Sequence, residues 1–245
     1  MATTSPLPHC GFLVVLLTGA LSCASGDLLL PDPPGGGENV LLSKLDGDNG
    51  DNQEGTVGEQ LPKPLVVQVL TAREQPAVGR RVAFVITSPA HVVSPDTAIT
   101  NSQGHATALL VLGTSPGAYL IEARLVTGGD SLQTEEFAAA ARPAAPDTLS
   151  PLSPVSQPGR LGQNVTSAPS VRVVDRFGNA VPDVPVAWQV TAGEGRLDQA
   201  ITRTATDGTA TVDWTLGNRI GVHKLTATIE QANGSPATFT ATVLF

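Results

Sequence analysis

The sequence predicts an all-β protein, and three observations carry that reading. Apolar residues alternate with polar ones over successive short segments, as in strands with one buried face. Val and Thr, which suit a pleated and half-buried surface, recur through both halves. The 25 Gly and 20 Pro are spread along 245 residues and divide the chain into short pieces. At 41% apolar and 15% charged, the chain can bury one large core or two modest ones.

The first element is MATTSPLPHCGFLVVLLTGALSCASGD, in which residues 11–21 form a short apolar block ending in small side chains. It has the form of a secretory signal and is shorter than the ~20 residues of an ordinary membrane-spanning helix. Ala20-Leu21-Ser22-Cys23 resembles the lipobox of bacterial lipoproteins, which implies a signal over 1–22 and a lipid on Cys23; ordinary cleavage after Ala24 is the alternative. Cys10 leaves with the signal, and lipidation accounts for the lone remaining Cys23 in a compartment where thiols are paired or modified. Residues 23–37, with DLLLPDPPGGG, read as a tether with little capacity for regular structure.

Next comes a repetition. Residues 207–217, DGTATVDWTLG, echo residues 103–113, QGHATALLVLG, at an offset of 104. Held fixed, that offset aligns 64–123 with 168–227 without a gap, pairing Val67 with Val171, Phe84 with Trp188, Gly104 with Gly208 and Leu112 with Leu216. Gln53 and Gly58 also meet Gln157 and Gly162. A register kept that long predicts two copies of a ~100-residue unit, an ordinary domain size. They are expected over 38–141 and 148–245, with a proline-bearing linker at 142–147.

Within the second unit, Val171, Val173, Val186, Trp188, Val190, Ala210, Val212, Trp214, Leu216, Leu225, Ala227, Ile229, Phe239, Ala241 and Val243 share the inward phase. Thr211, Asp213, Thr215, Lys224, Thr226, Thr228 and Glu230 take the outward one. Residues 176–179 supply a turn, residues 216–221 read as a hairpin turn framed by Gly217 and Gly221, and Gly208 permits a tight turn or close backbone approach. Two packed sheets are the economical way to bury such inward faces.

VRVVDRFGNAVPDVPVAWQVTAGEG, followed by TRTATDGTATVDWTLG and GVHKLTATIE, resembles the bacterial Ig-like group one domain, the repeat of the intimin and invasin family. The first unit resembles a more worn copy, without the Asp and Gly-Asn found at Asp175, Gly178 and Asn179. The resemblance implies two tandem Ig-like β-sandwich domains displayed outside a bacterial membrane. It implies nothing about activity, because function belongs to sites grafted on a fold.

A formal charge of -8 opposes a polyphosphate backbone, so nucleic acid is excluded as a partner. His9 belongs to the signal, His91 to a loop, and His105 and His223 to outward or turn positions; none has metal-ligand spacing. Neither G-x-S-x-G nor H-E-x-x-H occurs, and the expectation is a non-enzyme with no catalytic residue, no cofactor and no metal. Asp46, Asp48 and Asp51 could offer oxygens to calcium, but the D-x-D-x-D-G order is missing and a solvated Gly-rich turn is the preferred reading.

Where the second unit carries outward Gln189, Asp213, Thr215 and Lys224, the first carries Val85, Leu109, Val111 and Leu120. Leu109, Val111 and Leu120 are expected to form one cluster across a tight turn, with Val85 on the same partner face; burial by another strand of the unit is the alternative. The functional expectation is an exported, lipid-anchored protein of the outer membrane or cell surface, serving display or adhesion toward an unknown surface protein or glycan. A passive envelope spacer, or a soluble, secreted or periplasmic carbohydrate-binding accessory module, are the alternatives.

Overall fold

The computed structural model describes residues 39–86, 92–126 and 133–244, all within one compact unit, Gly37–Phe245. The signal, the tether, Cys23 and His91 lie outside the described residues. Every regular element among the described residues is a β-strand. The N-terminal half contains β1 (Val40–Lys44), β2 (Gln53–Thr56), β3 (Leu65–Thr71), β4 (Arg81–Ile86), β5 (Val92–Ser94), β6 (Thr97–Ile99), β7 (His105–Val111), β8 (Gly117–Val126) and β9 (Thr134–Arg142). The C-terminal half continues with β10 (Pro146–Pro151), β11 (Ser156–Gly159), β12 (Ser170–Asp175), β13 (Pro185–Ala192), β14 (Arg196–Leu197), β15 (Ile201–Arg203), β16 (Thr209–Thr211), β17 (Trp214–Thr215), β18 (Gly221–Thr228) and β19 (Ala237–Val243).

In the N-terminal half, a four-stranded sheet ordered β1-β3-β7-β5 faces a five-stranded sheet ordered β2-β9-β8-β4-β6. Alternation along each strand decides what lies between them. On β7, Ala106, Ala108 and Leu110 are buried while Thr107 and Leu109 are exposed. On β8, Tyr119, Ile121, Ala123 and Leu125 are buried. With Val67, Val69, Phe84 and Phe137 they form one apolar core that draws on no residue beyond Ala144.

The C-terminal half sets β10-β12-β16 against β11-β19-β18-β13-β15, with β14 and β17 as a small separate pair. Its core runs from Leu149 to Val243 and is a second, separate cluster. Every residue of the inward set is buried except Val190, which packs partly buried against that core. Trp188 and Trp214 are 3% and 0% exposed. The Trp188 ring lies 6.2 Å from that of Phe239 at a 40° tilt, a favourable aromatic geometry.

Several contacts recur at the 104-residue offset. Gln53 grips Lys63, accepting its N–H at 2.9 Å and donating to its carbonyl, and Gln157 grips Ser167 in the same two ways. The buried hydroxyl of Thr100 donates to Ala77 O and accepts from Arg80 N–H; Thr204 does the same with Val181 O and Val184 N–H. Gly104 and Gly208 both have φ +76°, and a Cβ on either would sit 2.5 Å from a strand carbonyl, Val69 O or Val173 O. The echoed phrase is therefore architectural at its glycine.

The hairpin expected at 216–221 is instead a crossing between sheets. β17 pairs with β14, whereas β18 pairs with β13 and β19. In the N-terminal half, β7 likewise lies between β3 and β5 while β8 lies between β4 and β9. Alternation identifies which side of a strand is buried and is silent about its neighbours, so an arch across a sandwich and a hairpin within one sheet look alike in sequence.

Candidate functional site: outer faces and the junction

That crossing divides the expected partner face. Leu109 and Val111 lie on the outer side of the four-stranded sheet, where they sit opposite Ser94 and Val92 of β5. Val85 and Leu120 lie on the outer side of the five-stranded sheet, opposite Glu122 and Ala138. The expectation of one cluster is corrected: the structure brings Leu109 to Val111 and Val85 to Leu120, on opposite sides of the sandwich. Leu109 and Leu120 are 38% and 41% exposed, while Val85 and Val111 are half-buried.

The acidic turn at 46–51 is more than solvated chain. Asp51 accepts N–H bonds from Asn52 at 2.9 Å and from Ala138 on β9 at 2.8 Å, and pairs with Lys44 on β1. Burial pushes its carboxyl up, but Lys44 and the two amides outweigh that and hold it below the ordinary carboxylate value. Asp48 pairs with Lys63 at 2.9 Å. Asp51 thus fastens the turn between β1 and β9, and among the described residues no trio of acidic, His or Cys side chains is grouped for a metal.

The expectation for His223 is also corrected. It is 1% exposed and shares the inward phase of Leu225 and Ala227 on β18. Its Nε2 lies 2.9 Å from Arg219 O, and the ring is roofed so closely by Gly193 that no side chain fits there. An imidazole is tolerated inside when its ring packs as an apolar body and a nitrogen finds a carbonyl. Parity along the strand could have found this placement. His105 is half-buried beside Gln68.

The residues that the two halves share lie in a turn that sequence reasoning treated only as a turn. Asp175 is 2% exposed at the end of β12. Its Oδ1 accepts the N–H groups of Phe177 and Asn179, both at 2.9 Å, which closes the turn. Its Oδ2 accepts Asn179 Nδ2 and the N–H of Ala144, again both at 2.9 Å. Ala144 belongs to the three residues, 143–145, between β9 and β10. Asn179 Nδ2 also donates to Thr114 O at 2.7 Å, in the N-terminal half. The Phe177 ring carries the Arg176 guanidinium at 4.7 Å and lies against Gly58, where a Cβ would come within 2.8 Å of the ring.

The family model of the bacterial Ig-like domain (group 1) matches residues 163–242. No curated protein matches the chain. Among solved structures, FdeC, an Escherichia coli adhesin, is 17% identical, with 84% of this chain and 62% of that one covered at a TM-score of 0.55. Yersinia pseudotuberculosis InvD is 19% identical over 83% of this chain and 56% of its own, with a TM-score of 0.49. The D0-D1 domain of intimin is 19% identical over 78% and 92%, with a TM-score of 0.32. Residues 163–242 thus match the bacterial Ig-like domain of group 1, within an all-β chain whose fold is similar to that of FdeC.

Proposed function

We propose that this chain is an exported bacterial surface protein, anchored by a lipid on Cys23, whose tandem Ig-like sandwiches serve display or adhesion without catalysis. The observation that carries this reading is the likeness to FdeC, an adhesin, across 84% of the chain. The group 1 domain at 163–242 supports it. The partner is a protein or glycan at a cell surface, met by an outer face of the N-terminal sandwich through Leu109 and Val111 or through Val85 and Leu120. The spacer reading draws on a different observation, the hydrogen-bonded junction at Asp175. The carbohydrate-binding reading is the weaker one, because both Trp are buried and unable to stack on a sugar.

The test is binding of residues 37–245 to host cells and matrix proteins. Saturable binding that is lost in Leu109→Asp/Val111→Asp or in Leu120→Asp supports adhesion and identifies the face; no saturable binding overturns adhesion in favour of the spacer. Anchoring is tested separately by metabolic labelling with a fatty-acid analogue. The wild-type chain should take up label and fractionate with membranes, and Cys23→Ala should do neither.

A further inference from the structure

The two halves carry the same turn with different chemistry. In the N-terminal half the counterpart of Asp175 is Thr71, 104 residues earlier. Thr71 N–H donates to Gln75 O at 2.8 Å, as Asp175 N–H donates to Asn179 O at 2.9 Å. Thr71 Oγ1 takes the place of Asp175 Oδ1, accepting the N–H groups of Arg73 and Gln75 at 3.4 and 3.3 Å. The positive φ of 85° at Gly178 is matched by 59° at Glu74. A single oxygen is therefore enough to make the turn. The second oxygen of Asp175, together with Asn179 and Phe177, is engaged elsewhere: with Ala144 of the connector, Thr114 and Gly58.

We propose that the 175–179 turn is a pin that fixes the orientation of the C-terminal sandwich on the N-terminal one, with Asp175 Oδ2 as its central acceptor. An ionised carboxylate accepting a half-buried N–H, as Asp175 does from Ala144, forms a stronger bond than a neutral group would, and leaving that N–H unpaired is unfavourable. Inter-domain contacts within a chain otherwise permit relative motion. The pin concerns orientation, and it holds whether the chain is an adhesin or a spacer.

Residues 37–245 contain both cores entire, so that segment is suited to the test. Residual dipolar couplings of its backbone amides report the orientation of each half. In the wild type, one alignment tensor should fit both halves. Asp175→Thr keeps the single oxygen that suffices at Thr71 and removes Oδ2. Asp175→Asn is a near-isosteric second variant that puts an N–H₂ where Ala144 N–H and Asn179 Nδ2 need an acceptor. In each folded variant the halves should require separate tensors, while couplings within each half still fit that half's own structure. The proposal is overturned if the wild type already needs two tensors, or if both variants keep a common one. Because Asp175→Asn retains the turn-closing oxygen, it decides the matter should Asp175→Thr not fold.

Discussion

At the residue scale, the most constrained positions are those where backbone geometry leaves no choice. Gly208 combines φ +76° with a carbonyl 2.5 Å from where a Cβ would lie, and Gly104 repeats the arrangement. Replacement by Ala adds strain at φ and a steric clash, so Gly208→Ala should lower unfolding free energy by more than about 1 kcal/mol in denaturant titration. Asp175 gives a pH prediction. Burial pushes its carboxyl up, yet the Asn179 side chain and the amides of Ala144, Asn179 and Phe177 together hold it below the ordinary value. A carboxylate whose folded pKa lies below its unfolded one contributes stability above the unfolded value, ~3.9, and loses it as pH falls through the folded value. The denaturation midpoint of the wild type should therefore exceed that of Asp175→Asn at about pH 6, with the gap closing on approach to about pH 2. Gly208 and the turn at 175–179 were legible in the sequence, because a repeated Gly and an Asp-Gly-Asn cluster have local causes. The second role of that turn was not, since Asn179 and Thr114 are 65 residues apart and Asp175 and Ala144 are 31 apart.

At the element scale, period-two alternation identified the buried side of the C-terminal strands almost residue by residue, Val190 being half-buried. It follows that truncating an inward aromatic is severe. Trp188, held by Thr202 Oγ1 at 2.8 Å and packed on Phe239, should cost about 3–5 kcal/mol when changed to Ala. Outward apolar residues behave differently: Leu109→Asp and Leu120→Asp should each leave unfolding free energy within about 1 kcal/mol of wild type. Equilibrium denaturation followed by Trp fluorescence, with circular dichroism for the N-terminal half, measures both. Pairing partners were beyond reach of the alternation. Leu109 and Leu120 look adjacent along the chain, but the segment between β7 and β8 changes sheet and places them on opposite sides. His223 shows the converse, since its parity was inward all along and only its polarity suggested the surface.

At the scale of the whole molecule, the described residues hold two apolar cores with no buried residue in common, one ending at Ala144 and the other beginning at Leu149. The six residues from Ala144 to Leu149 leave no slack for wide separation, and the turn at Asp175 takes hold of the first of them. Separate cores allow each half to keep its fold on its own terms, while the proposed pin at Asp175 sets their mutual orientation. Hydrogen exchange on residues 37–245 bearing Leu110→Ala separates these roles most directly. Leu110 is fully buried in the first core, and its truncation should accelerate exchange in β3, β7 and β8 while amides of β13, β18 and β19 keep their wild-type protection. Loss of protection in both groups of strands together would contradict the account.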